Sequence, residues 1–74
     1  MQAVISVHTP HTTIVKEAIK TEITSAPHQK TETTLSAEEN TLIVTISSDD
    51  IRALRGTFNS CMNWLIAILD SLSL

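Results

Sequence analysis

Aromatic residues are nearly missing from this chain of 74 residues, which has one Trp, one Phe and no Tyr. A sheet that stacks nucleobases normally displays aromatic rings, so a single-stranded RNA platform is not expected. Cysteine is equally scarce: the lone Cys61 excludes an internal disulfide, and no Cys and His fall at zinc-site spacing. That usage suits a reducing cytoplasm. One glycine, Gly56, leaves no Gly-rich phosphate cradle. Basic charge is thin too. Five Lys and Arg against eight Asp and Glu give a net charge of −3, which argues against strong nucleic-acid binding by this chain alone, because phosphate contacts need clustered cations. A minor share in a composite site stays open.

Long apolar runs are also lacking. No stretch approaches the roughly 18 apolar residues of a membrane-spanning helix, and Asp70 interrupts the best candidate. The opening MQAVISVHTPHTT has neither the basic n-region nor the apolar run of a signal peptide. A soluble, cytoplasmic protein without a membrane segment is the expectation. Residues 1–74 make one domain, and a chain this short buries only about 60% of the surface its unfolded form exposes. Oligomerisation is the expected source of added stability.

What is present is concentrated in the last third, SDDIRALRGTFNSCMNWLIAILDSLSL. Ile51, Leu54, Phe58, Cys61, Leu65, Ile68 and Leu72 recur at steps of three and four, with Met62 and Leu69 widening the stripe, which predicts an amphipathic helix from Asp49 to about Leu72. Ser48 is the expected cap, with Asp49 and Asp50 in the positive first turn. A helix roughly 36 Å long at about 1.5 Å per residue should overhang the core of so small a domain. From Cys61 to Leu69 only Asn63 is polar, so apolar surface spreads beyond one stripe and a neighbour from another chain is expected. Trp64, bordered on the helical wheel by Thr57, Ser60, Ala67 and Ser71, reads either as a core residue or as an anchor in a docking strip.

The rest of the chain has to cover that helix. Gln2 to His8 alternates, with Ala3, Ile5 and Val7 on one face, and predicts a first strand. Thr9-Pro10 signals a helix start, with Thr12 or Thr13 as other starts, and Ile14, Val15, Ala18, Ile19 and Ile23 share a face of about three turns. Ser25 to Gln29, containing Pro27, is a connector. Lys30 to Ser36 is Thr-rich and reads as an edge or dimer-edge strand. Ala37 to Asn40 is a polar turn, and Thr41 to Ser47 alternates Leu42, Val44 and Ile46 against Thr41, Ile43, Thr45 and Ser47. The predicted fold is α+β in the order β-α-β-β-α, a three-stranded antiparallel sheet with two helices on one face.

Catalytic patterns are sparse. His8, His11 and His28 do not read as a metal site, because His8 and His11 span the predicted strand-to-helix junction and no carboxylate or Cys stands at ligand spacing nearby. Cys61 lies on the main stripe, where a buried thiol is normally an inert small hydrophobe. Scattered Ser and Asp lack a nucleophile turn. Glu38, Glu39 and Asn40 form a solvated turn, and Arg52 with Arg55 read first as helical surface charges, second as contacts to a partner carboxylate or RNA. No enzyme, cofactor or metal is expected.

The run IRALRGTFNSCMNWLIAIL, above all Leu54-Arg55, Asn59-Ser60 and Trp64-Leu65, resembles the second helix of the small Pcc-type dimerisation subunit of the archaeal and eukaryotic KEOPS complex. Element order, chain length and the polar hairpin before the helix are similar as well. Residue matches are confined to about residues 50–69. Gly56 stands where a small residue such as alanine is expected, at a helix-propensity cost of about 1 kcal/mol, which a close helix approach would offset. The resemblance implies a non-catalytic scaffold that forms a homodimer, or a heterodimer with a paralogue. It also implies helices docked on the complex's catalytic ATP-binding subunit, which makes threonylcarbamoyladenosine in tRNA, with this chain assisting tRNA engagement. Arg55, Asn59 and Ser60 carry the match, and Thr57, Trp64, Ala67 and Ile68 are the expected partner contacts. A divergent paralogue of the same subunit fits equally. Two other classes stand beside it: a KH-like RNA-binding domain, against which stand the missing GxxG loop and the negative charge, and a membrane-surface module, against which stands the lack of Lys and Arg beyond Arg55.

Overall fold

A computed structural model describes residues 1–25 and 30–73. Strand β1 spans Gln2–His8, helix α1 Thr12–Ser25, strand β2 Glu32–Glu38, strand β3 Thr41–Ser47 and helix α2 Ile51–Leu72. The β-α-β-β-α order and the α+β class are those the sequence predicts. The sheet is antiparallel in the order β1-β3-β2. The most apolar strand is therefore central, which follows from β3 having to be covered along both edges. Residues 26–29, most of the predicted connector and including His28, lie outside the described residues, and Ser25 is the last residue of α1.

Register explains the core. Leu42, Val44 and Ile46 of β3 are fully buried, and the pairing sets Val7 and Ala37 beside Leu42, Ile5 and Leu35 beside Val44, and Ala3 and Thr33 beside Ile46. Val15 and Ile19 of α1 and Leu54, Cys61 and Leu65 of α2 close over the same face in one cluster. Both helices thus share one side of the sheet. The other side carries Val4, Thr45 and Thr34 in one row, and Ser6, Ile43 and Ser36 in the next.

Several expected boundaries shift for identifiable reasons. Helix α1 begins at Thr12, one of the expected starts, and not at Pro10. The Thr9 hydroxyl accepts from the His11 N–H at 3.1 Å, which makes a turn of Thr9 to His11 before the helix. The Thr12 hydroxyl donates to the Glu39 carbonyl at 2.7 Å and lies 3.1 Å from the Thr9 carbonyl, tying the helix start to the hairpin. Ile14, expected on the buried face, is 55% exposed, because burial follows the line of Val15 and Ile19. Strand β2 starts two residues later than predicted and ends two later. Lys30 and Thr31 are engaged by Ser48 and Thr57, and the hairpin link is only Glu39 and Asn40, so Ala37 and Glu38 stay paired with Leu42 and Thr41.

The cap of α2 is Asp50, not Ser48. The Ser48 hydroxyl donates to the Lys30 carbonyl at 2.7 Å and accepts from the Asp50 N–H at 3.0 Å, so it is committed before the helix begins. Asp50 Oδ1 instead accepts from the N–H groups of Arg52 and Ala53 at 2.9 and 3.3 Å, and Asp49 is exposed ahead of the helix. Those bonds, Ala53 first, with a contribution from Lys30 at 3.6 Å, hold the Asp50 carboxyl below its usual range.

Two predictions follow from these junctions. A depressed folded pKa contributes stability that is present above the usual carboxylate range and lost as pH falls through it. Thermal melts should therefore separate wild type from Asp50→Ala at neutral pH, with the gap closing as the solution is acidified below that range; a gap independent of pH would exclude the charged cap. Glu39 holds a backbone φ of 36°, a region that costs a side-chain-bearing residue about 1–2 kcal/mol and glycine little. Glu39→Gly should raise unfolding free energy in urea by about 0.5–1 kcal/mol after glycine's own entropy cost.

Candidate docking surface

Helix α2 outreaches the sheet. Its 22 residues span about 33 Å at about 1.5 Å per residue, whereas a seven-residue strand covers about 24 Å. Burial reflects the mismatch. Leu54, Thr57, Cys61 and Leu65 are its buried positions, and no described residue beyond Leu65 is buried. Ile68, Leu69 and Leu72 are half-buried against the core edge, Ala67 is exposed, and Ile66 is 53% exposed. Past Leu65 the helix keeps only partial cover, and Ile68, Leu69 and Leu72 still rest against the core cluster while Ile66 and Ala67 face outward.

The expected contact residues divide into three groups. Arg55, Asn59 and Ala67 are exposed, Ser60 is half-exposed, and Trp64 and Ile68 are half-buried against the core. Thr57 is 2% exposed, and its hydroxyl pairs with that of Thr31 at 2.9 Å. It is an internal joint between α2 and the lead-in to β2, so the expectation that it touches a partner is corrected. The reason is that the sequence pattern shows a threonine between apolar positions but not the second threonine brought beside it. Trp64 packs on the cluster, so the strip around it is not the main exposed apolar surface of α2. That surface is marked by Ile66 and by Ile51, which is 52% exposed although its spacing placed it on the main stripe. Burial is centred on Leu54, Thr57, Cys61 and Leu65, and at about 100° per residue Ile51 lies roughly 75° from that line.

Gly56 is exposed, and a Cβ built there meets nothing within 4 Å. Among the described residues of this chain, no close approach offsets its helix cost. A shallow groove of about 410 Å³ lies nearby between β1 and α2, lined by Ala3, Leu54, Arg55, Phe58 and Asn59.

Among the described residues, reactive side chains are not brought together. His8 Nδ1 lies 3.3 Å from the Thr41 hydroxyl on the outer sheet face, and His11 is exposed at the α1 start. Burial raises the pKa of the Cys61 thiol, the opposite of what a nucleophile needs. Among the described residues no three His, Cys, Asp or Glu side chains cluster for a metal, and no helix is long and apolar enough to cross a membrane.

The family model described as transcription factor Pcc1 matches residues 1–73. The chain belongs to the Pcc1 family. This is the KEOPS-associated subunit family whose resemblance lay in residues 50–69, and the match extends it over the whole fold. Pcc1 members are subunits of a multi-subunit complex with a tRNA-processing association. No curated protein matches the chain at a significant level. Within the Pcc1 fold the matched residues Arg55, Asn59 and Ser60 lie on the accessible side of α2, while Leu54 and Leu65 serve the core.

Gly56→Ala should stabilise the isolated domain by about 1 kcal/mol in urea, because it gains helix propensity and meets no neighbour. A loss of stability would contradict the open space around Gly56 among the described residues.

Proposed function

We infer that the chain is a non-catalytic, dimerising scaffold of a KEOPS complex. Its helices dock on the catalytic threonylcarbamoyl-transferase subunit that modifies tRNA. The observation that carries this reading is the incomplete cover of the last turns of α2 in a Pcc1 family member: no residue of 66–72 is buried, and Ile66 and Ala67 are exposed. In a bundle with helices of the larger subunit, Ser60, Ala67 and the half-buried Trp64 and Ile68 supply a small-residue strip flanked by an anchor. Arg55 and Asn59 lie on another side of α2, at the groove beside Ala3, and offer hydrogen bonds to a partner there.

The reaction belongs to the larger subunit. This chain contributes position, pairing two copies of the complex and holding them where tRNA is engaged. Its five basic residues, Lys16, Lys20, Lys30, Arg52 and Arg55, are spread over two helices and a connector, so the tRNA grip comes from other subunits.

Calorimetric titration with the catalytic ATP-binding subunit tests the docking face. Ala67 is exposed, so Ala67→Arg leaves the fold intact while placing a charge in the proposed contact. Binding should weaken by about tenfold or more. Unchanged affinity would remove this face from the interface, and no binding by wild type would remove the scaffold reading itself.

A further inference from the structure

The flank of α1 beside β2 borders an open groove of about 380 Å³. Lys16, Lys20, Ile23 and Thr24 line it from the helix, and Thr33 and Leu35 from the strand. Among the described residues none from α2 takes part, so the groove is separate from the docking strip on that helix. Its apolar part is the unfinished rim of the core: Ile23 and Leu35 pack on the buried cluster and stay only partly covered.

The charge over this rim is of one sign. Lys16 is half-buried and Lys20 exposed, and at four residues apart they are neighbours on one face of α1, where like charges repel and weaken a helix. Among the described residues nothing offsets that repulsion. No Asp or Glu lines the groove, and neither lysine makes an ion pair. Glu17, three residues before Lys20, stands outside the lining, and strand alternation puts Glu32 and Glu38 on the opposite sheet face from Thr33 and Leu35. In a chain of net charge −3, two of the five basic residues thus stand together over apolar side chains without a counter-charge. Hydrogen bonding is on offer as well. The Thr24 hydroxyl donates to the Lys20 carbonyl at 2.9 Å, which leaves its oxygen able to accept from an amide N–H.

We propose that this groove takes an acidic, amphipathic segment of a partner protein, whose carboxylates pair with Lys16 and Lys20 while its apolar side chains cover Ile23 and Leu35. Spacing favours an extended segment. Residues two apart in a strand share a face at about 6.6–7 Å, close to the roughly 5–6 Å between helix neighbours four apart, and the residue between them points to the other face. Carboxylates and apolar side chains therefore alternate in the occupant. A nucleic acid would match the charge but would leave the apolar rim bare, and it would find two lysines in place of the wider basic surface that phosphates need. The groove adds a neighbour to the scaffold reading and does not depend on it.

Fluorescence anisotropy of the full chain with a labelled peptide of alternating Asp and Leu tests this. Comparison probes are peptides of alternating Asp and Gly and of alternating Lys and Leu, and a labelled oligouridylate. The Asp-Leu peptide should bind saturably and more weakly as salt is added. Affinity should fall by about tenfold or more when Lys16→Gln and Lys20→Gln are combined, since two charge-assisted contacts are lost. The same double variant relieves the like-charge pair, so its circular dichroism should match wild type and its melting temperature should not drop; lost binding then reports the groove and not the fold. Unchanged affinity of the double variant, or no saturation by the Asp-Leu peptide up to millimolar concentration, overturns the proposal. Tighter binding of the Lys-Leu peptide does so too. Equal binding of the Asp-Gly peptide reduces the groove to a bare anion contact, and tighter binding of oligouridylate through the same lysines assigns it to nucleic acid; either result overturns the protein segment.

Discussion

A 22-residue helix laid on seven-residue strands sets most of what this molecule is. Full burial of α2 ends at Leu65, and in the final turns Ile68, Leu69 and Leu72 are only partly covered by the core while Ile66 is left exposed. Burial there would contribute about 25 cal/mol per Å², a large sum for a domain whose stability is a few kcal/mol. The fold is in this sense open at one end. A single layer of two helices on three strands leaves the second sheet face, with its threonine and serine rows, in solvent.

Small hydroxyl residues hold the layers in place at the two ends. At one end Thr9 and Thr12 join the start of α1 to the β2–β3 hairpin, where Glu39 adopts a left-handed backbone. At the other, Ser48 links β3, Lys30 and the start of α2, and Thr31 meets Thr57 beneath the helix. Buried hydroxyls without partners would cost about 1–3 kcal/mol each, and among the described residues none is left so. With no internal disulfide, and no ion pair among the described residues beyond the exposed Lys30–Asp50 contact, these joints give the termini of both helices their definition.

Membership of the Pcc1 family, whose members are subunits of a multi-subunit complex, turns attention to the surface of this chain. The negative net charge and scattered basic residues turn attention from nucleic acid to protein partners, as does an α2 that exposes Ile51 and Ile66 on one side and Ala67 on another.

Local periodicity was enough to determine the elements. The alternation of β1 and β3, the three-and-four spacing of α2 and the order β-α-β-β-α are properties of neighbouring residues, and the burial of Leu42, Val44, Ile46, Cys61 and Leu65 follows from them. The family match around Arg55, Asn59 and Ser60 was likewise visible in the chain. Tertiary structure decided what depends on distant residues. It made Asp50 and not Ser48 the cap, because Lys30 takes the serine hydroxyl, and it buried Thr57, because Thr31 folds beneath it. Ile51 and Ile14 were left outside, because the line of contact runs beside them. Which strand edge is bare of charge was written in the sequence, but that β1 is an edge at all was settled only when β3 took the centre of the sheet.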